Sequence, residues 1–357
     1  MRRILLLITD LEIGGTPTVV RELATRLTVP DEVRVDVACL KISGPVATQL
    51  EARGIFVHVF SATSPFDFPP VVAELRALVR EREIDTVLSF LVHANVVAAS
   101  ASRVTPGVRW LQSIQTSQPN PRWHWVAQRV AHHAAEKVIV PSPSVAGVAE
   151  RWADVPLEKS VVIPNAVEIP DPQPARAPRD DSIVRVGFVG RLDPVKRLPD
   201  LIEAVSLLPP HYHLDVVGEG SDRRRVEKSI ARFGVQDRVT LRGASALVDM
   251  SRFDVLVLPS EAEGFGLVLI EAMAAGVPVV ATNADGIRDV VRHEHNGLLV
   301  PVGSPPAIRD AIERVMRDGG LRRRLVDGGR DAVASQYSWP AVLGQYREVL
   351  RIGHPMT

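Results

Sequence analysis

The stretch Asp254–Gly276 reads DVLVLPSEAEGFGLVLIEAMAAG. Its opening, Asp254–Leu258, is a short apolar run stopped by Pro259, as expected of a strand buried on both faces of a parallel sheet. A polar loop with two glycines follows, and then an apolar segment, Gly266–Ala275, long enough for a helix. Strand, loop and helix in that order form the unit of a doubly wound α/β sheet, which places its ligands outside the carboxyl ends of the strands. Glu263 lies in that loop. Gly264 and Gly266 allow close approach of a backbone, and the free amides of Gly266 and Leu267 at the helix start suit a phosphate. Glu271 lies within the helix among apolar neighbours, where a carboxylate is costly unless it is paired or bonded to ligand hydroxyls. An ordinary strand-turn-helix with one hydrogen-bonded glutamate accounts for the same spacing equally well.

The unit recurs on both sides of this stretch. Upstream, Ile183–Val189 reads as a strand before the helix Leu198–Leu208, and His213–Val217 as a strand before Asp222–Phe233. Arg238–Leu241 and Val277–Ala281 read as further strands. The loop of GFVGRLDPVKRL, Gly187–Leu198, carries Arg191 and Lys196. Two cations after a strand and before a helix can hold a diphosphate, Arg bidentately and Lys as a point charge. The alternative is a solvated basic loop. It is weakened because the chain has only five lysines, Lys41, Lys137, Lys159, Lys196 and Lys228.

Segment 170–182 interrupts the alternation with Pro170, Pro172, Pro174 and Pro178, a linker composition. Before it the alternation runs through the strands Ile4–Ile8, Val33–Leu40, Asp85–Leu91 and Lys137–Val140 and the helices Thr18–Thr28, Pro70–Glu83 and Trp125–Ala135. Gly14-Gly15 reads as a tight turn after the first strand, with Thr16 as N-cap and Pro17 opening the helix. The expected organisation is therefore α/β with two similar halves, residues 1–169 and 183–337. A last helix, about Pro340–Arg351, follows a break at Tyr337–Trp339.

Composition bounds the function. Among 357 residues, 42 Lys+Arg balance 42 Asp+Glu, which argues against a nucleic-acid partner bound through phosphate neutralisation. The one cysteine, Cys39, excludes an intramolecular disulfide and a thiolate metal site. The apolar run Ile4–Ile8 is too short for a signal peptide, and no stretch reaches the length of a membrane span. The expected location is the cytoplasm, with at most a weak peripheral contact at the inner face of the membrane.

Taken in order, these motifs resemble the retaining nucleotide-sugar glycosyltransferases of glycosyltransferase family 4 (glycosyl transferases group 1). The matching pieces are GGTPTVVRELA (14–24), VIPNAV (162–167), GFVGRLDPVKRL (187–198), VGEG (217–220), LPSEAEGFGLVLIEAMAAGVPVVAT (258–282) and NGLLVPVG (296–303). The resemblance implies the GT-B fold. In that fold two Rossmann-like domains face each other across a cleft, and a C-terminal helix, about 338–357, crosses back to the N-terminal acceptor-binding domain. It implies that Arg191 and Lys196 neutralise the donor diphosphate, Glu263 contacts the donor sugar and Glu271 the ribose hydroxyls. Gly14 and Gly15 would approach the phosphate, and the amides of Gly264, Phe265, Gly266 and Leu267 would complete the cradle. His93 resembles the histidine that faces the donor sugar, with Asn95 a weaker candidate beside it. No cofactor or metal is implied: the donor, most simply a UDP-sugar, is a co-substrate. The acceptor would be a glycan, a lipid-linked sugar or a small natural product. The loop Gln118–Trp125, with Trp123 and Trp125, could stack on a sugar or a lipid carrier, or could simply pack on the core. A nucleotide-sugar epimerase of the same fold and a non-catalytic nucleotide-sugar binder are the alternatives. Thr16-Pro17 and Asp289 depart from the commoner family residues, Ala-Glu after the double glycine and a glutamate at 289.

Overall fold

The computed structural model describes residues 1–41, 43–170, 182–245 and 248–353. Its contacts divide the chain into two units, Met1–Asn165 with Val342–Thr357, and Ala166–Ala341. The proline-rich segment expected as the linker lies, apart from Pro170 and Ser182, outside the described residues.

The first unit contains strands β1 (Arg2–Ile8), β2 (Val33–Cys39), β3 (Val57–Val59), β4 (Thr86–Phe90), β5 (Arg109–Ser113), β6 (Val138–Val140) and β7 (Ser160–Val162). Its helices are α1 (Gly15–Leu27), α2 (Pro45–Glu51), α3 (Phe68–Glu81), α4 (Val92–Ser102), α5 (Arg122–Ala131) and α6 (Pro143–Ala153). The second unit contains β8 (Val184–Val189), β9 (Tyr212–Val217), β10 (Val239–Leu241), β11 (Val255–Leu258), β12 (Val279–Thr282) and β13 (Leu298–Val300). Its helices are α7 (Leu198–Ser206), α8 (Arg223–Phe233), α9 (Leu267–Ala274), α10 (Ile287–Val290), α11 (Pro305–Arg317) and α12 (Gly319–Ala332). A π-helical turn, Val333–Tyr337, leads into α13 (Trp339–Val349).

Among the described residues the strand orders are β3-β2-β1-β4-β5-β6-β7 and β10-β9-β8-β11-β12-β13. Every ladder is parallel. Both sheets are buried, as their continuous apolar strands require: Ile4–Ile8 and Val255–Leu258 are inaccessible to solvent or nearly so. In each sheet the winding direction reverses once, between β1 and β4 and between β8 and β11. A parallel sheet opens a crevice where the helices before and after it turn to opposite faces, at the carboxyl ends of these central strands.

Close packing at the second reversal depends on glycine. A Cβ on Gly187, in β8, would lie 2.4 Å from the Phe253 ring, and one on Gly220 would lie 2.4 Å from the Leu192 carbonyl oxygen. Gly218, at φ 149°, abuts the Gly190 carbonyl. The loops after β8 and β9 therefore touch backbone to backbone.

Several elements leave little trace in the sequence pattern. Helix α4 is buried along much of its length and apolar on most sides, with Ala94, Val97, Ala98 and Ala101 in the core, so it lacks a polar stripe to reveal its period. Strands β3, β7 and β13 have three residues each, too few for periodicity to register. Helix α1 starts at Gly15 with Gly14 as N-cap, not at Thr16 as its residue type suggests. Gly14 is extended there, at φ 179°, so the double glycine opens the helix without a left-handed turn. The last residues pack with the first unit through ion pairs from Arg347 to Glu32 (2.6 Å) and from Arg351 to Glu136 (2.9 Å).

Candidate functional site

In the second unit, β8 and β11 are neighbours in register, Val255 beside Val186 and Leu256 beside Gly187. The loops leaving their carboxyl ends must therefore meet, although 67 residues separate Lys196 from Glu263. Lys196 ends a short 3-10 turn, Pro194–Lys196. Its Nζ donates to Glu263 Oε1 at 2.5 Å. The buried hydroxyl of Ser260 donates to the same oxygen at 2.6 Å. The Ser260 carbonyl in turn accepts a 2.5 Å bond from Thr282 Oγ1, at the end of β12. Ser260 and Thr282 are wholly buried and Glu263 nearly so, so the carboxylate is held by groups that have little freedom to relax.

Gly286 supports the same loop from behind. It sits at φ 78°, and a Cβ there would lie 2.2 Å from the Glu263 carbonyl oxygen. The Glu263 amide donates to the Asp285 carbonyl at 3.3 Å. Spacing gives no hint of Ser260, Thr282 or Gly286, because each acts through a neighbour brought in by the sheet. Their one signal is residue type: a serine beside the strand end, a threonine ending the next strand and a glycine before a helix.

Arg191 lies in the same loop as Lys196, but its side chain is 68% exposed and pairs with Asp193 at 2.9 Å. It does not join Lys196 and Glu263. Helix α9 starts at Leu267, with Gly266 as its N-cap at φ 86°, one residue later than its sequence suggests. Phe265 turns its ring into the core, edge-on to Tyr337 at 5.6 Å, so only its backbone is available to a ligand. Glu271 stands in the second turn of α9. No hydrogen bond or ion pair reaches its carboxylate among the described residues, and burial raises its pKa. Of the two readings of Glu271, the hydrogen-bonded structural glutamate finds no partner among the described residues, which leaves the costly case of a desolvated carboxylate.

In the first unit the reversal between β1 and β4 places Gly14 and Gly15 after one strand and His93 after the other. His93 lies in the first turn of α4, following Leu91 at φ 70°. Its pKa is lowered, first by burial and then by Lys41, against an opposing pull from Asp10. Its ring meets Trp123 and His124 edge-on, each at 5.4 Å. Asn95, the weaker candidate, is engaged within the fold. It is fully buried, accepts from Ser89 and donates to Gln128 and the Ser113 carbonyl, fastening α4 to β4 and α5. The two tryptophans also part company. Trp125 is buried in α5, with Nε1 donating to the Gln118 carbonyl at 2.9 Å, whereas Trp123 is 52% exposed.

Two family models cover most of the chain, Glycosyltransferase Family 4 over residues 13–169 and Glycosyl transferases group 1 over residues 173–332. The phosphatidyl-myo-inositol mannosyltransferase of Mycobacterium leprae is 30% identical over 323 residues, 86% of this chain and 84% of that protein. The chain belongs to glycosyltransferase family 4. An uncharacterized glycosyltransferase of Methanocaldococcus jannaschii is 33% identical over 175 residues, 47% of this chain, and the match spans only 45% of that relative's length. Among solved structures, Anabaena Alr3699/HepE in complex with UDP-glucose superposes with a TM-score of 0.87 at 25% identity, covering 98% of this chain and 100% of that one. The two parallel-sheet Rossmann-like units are those of the GT-B fold of this family. Among the described residues no helix is long and apolar enough to cross a membrane.

Proposed function

We propose that the protein is a retaining glycosyltransferase that moves a sugar from a nucleotide-diphosphate donor, most simply a UDP-sugar, to an acceptor hydroxyl on a glycan, a lipid-linked sugar or a small molecule. The observation that supports this reading is the Lys196–Glu263–Ser260 cluster at the β8/β11 reversal, a lysine and a carboxylate held together where α/β sheets place their ligands. The family relationship and the UDP-glucose bound by the Anabaena protein support the choice of donor.

In this reading the bond from the anomeric carbon to the diphosphate breaks, and the acceptor oxygen bonds to that carbon from the same face. The acceptor proton passes to the departing phosphate oxygen. Negative charge grows on the diphosphate as its bond stretches. Lys196 and the first amides of α9, joined by the Arg191 guanidinium once it leaves Asp193, stabilise this charge without a metal ion. Glu263 orients the sugar through its hydroxyls. Glu271, with no hydrogen bond among the described residues, accepts from the two ribose hydroxyls, which offsets its desolvation. The reading places the enzyme in the cytoplasm.

The test is transfer by purified protein across a panel of UDP-, GDP- and ADP-sugars with mixed acceptors, products being read by mass spectrometry and anomeric configuration by NMR. Glu263→Ala and Lys196→Ala should each lower transfer strongly while circular dichroism stays unchanged. Inverted product would refute the mechanism. Sugar-nucleotide interconversion without acceptor would favour an epimerase.

A further inference from the structure

The loop that carries Glu263 is backed at two points, and Tyr337 reaches both. Phe265 lies between the two glycines of that loop with its ring buried, 4% exposed. It meets the Tyr337 ring edge-on, 5.6 Å between centroids and 80° between planes, an arrangement that the quadrupoles of two aromatic rings favour. The second support is α10, whose N-cap Gly286 lies against the Glu263 and Gly264 carbonyls. The Tyr337 hydroxyl donates to the Asp289 carbonyl in α10 through a long bond of 3.4 Å.

Tyr337 is set in turn by its own backbone. It closes the π-helical turn Val333–Tyr337, a rare geometry that recurs at functional sites. Its carbonyl accepts from the Val167 amide at 2.8 Å. It also lines a cavity of about 200 Å³ with Arg292, His295, Asp331 and Gln336. Close packing on every side therefore does not impose the ring's position, and the Phe265 ring and the Asp289 carbonyl orient it.

We infer that Tyr337 is a positioning residue for the donor diphosphate, acting through Phe265. A buried ring at position 265 limits how far the neighbouring backbone can turn. It thereby fixes the direction of the amides of Gly264, Gly266 and Leu267 around the start of α9. The Tyr337 ring is the wall behind Phe265, so it sets the aim of those amides without touching the ligand. Hydrogen bonds weaken steeply as their angle closes, so a small rotation of these amides is felt by a diphosphate and not by a nucleoside. The inference rests on the reading of a nucleotide-diphosphate donor and adds a residue that this reading does not use.

The test is the affinity of the full chain for UDP and for uridine, measured by calorimetry with competition for the weaker ligand. Tyr337→Leu removes the ring and should weaken UDP about fivefold to tenfold while uridine stays within about twofold. Tyr337→Phe keeps the ring and loses only the long hydroxyl bond, so it should keep most of the parent's preference for UDP over uridine. A role in stability alone would lower the melting temperature and leave that preference unchanged. If Tyr337→Leu does not fold, Phe265→Leu removes the other half of the pair and should give the same selective loss. An unchanged preference in the leucine variant, an equal loss of UDP and uridine, or a loss in Tyr337→Phe as large as in Tyr337→Leu would overturn the inference. A parent protein that does not prefer UDP over uridine would overturn it together with the donor reading. A selective loss of UDP in a protein that transfers no sugar would leave this inference standing and sink the enzymatic one.

Discussion

The Ser260 hydroxyl provides the sharpest probe of the site, because it touches Glu263 without being a candidate ligand residue. Ser260→Ala removes a donor on Glu263 Oε1, at 2.6 Å, and leaves Lys196 at 2.5 Å. The backbone carbonyl that Thr282 holds is untouched. A hydrogen bond to a charged group contributes about 1.5–3 kcal/mol. If the whole of it serves to aim the carboxylate, transfer should fall about 10- to 150-fold. The assay is steady-state transfer with the preferred donor, read as kcat and KM separately, alongside the affinity for UDP. UDP lacks the sugar, so its affinity should not change. Glu263→Ala removes the aimed group itself, so Ser260→Ala added to it should cost nothing further. The reasoning fails if Ser260→Ala keeps kcat within twofold of the parent, or if the two substitutions multiply.

Three further outcomes follow from the same geometry. Burial raises the pKa of Glu271, so the folded state holds its proton more tightly than the unfolded one. That penalty sets in as pH rises through the ordinary carboxylate range and grows up to the raised folded value. Glu271→Gln should therefore gain thermal stability relative to the parent on going from pH 4 to pH 7, while losing affinity for UDP, and parallel melting curves would contradict this. Lys41 depresses the pKa of His93 through like charge. Lys41→Met should raise it in an NMR titration, and an unmoved value would mean that burial alone acts. Gly286→Ala combines a strained positive φ with a Cβ 2.2 Å from the Glu263 carbonyl. It should cost about 2–4 kcal/mol of stability and displace the Glu263 loop, visible as a lowered melting temperature and reduced transfer. A fully active Gly286→Ala would show that the loop tolerates the shift.

The fold was largely legible because parallel strands buried on both faces write themselves as short apolar runs. Ile4–Ile8, Val33–Cys39 and Val255–Leu258 are such runs, each followed by glycine or polar residues and then a helix. The rule that ligands gather at strand ends then points to the loops of Glu263, Lys196 and His93. What stayed hidden is contact between loops. Nothing in the local spacing says that Lys196 and Glu263 pair, or that Ser260 sits under the same oxygen, because parallel neighbours β8 and β11 bring together segments far apart in sequence. The bonds of Asn95 are hidden for the same reason. A polar residue beside a histidine looks like a ligand until three buried partners on β4, β5 and α5 account for it.

The pairing also changes the electrostatic account of the donor site. The sequence presents Arg191 and Lys196 as two free cations waiting for a diphosphate. In the structure Arg191 holds Asp193 and Lys196 holds Glu263, so these two cations are matched by two carboxylates before any ligand arrives. Attraction at long range should then be small, and recognition should rest on short-range donors: the remaining protons of Lys196, the guanidinium of Arg191 once it leaves Asp193, and the helix-start amides. Uncompensated exposed cations lose much of their pull when the Debye length shrinks below about 5 Å, whereas short contacts in a desolvated site lose little. UDP affinity measured by calorimetry should therefore change less than about threefold between low and high salt, while Asp193→Asn, which frees Arg191, should steepen that dependence. A tenfold or larger salt effect in the parent protein, unaltered in Asp193→Asn, would mean that the two ion pairs do not govern how the site meets a phosphate.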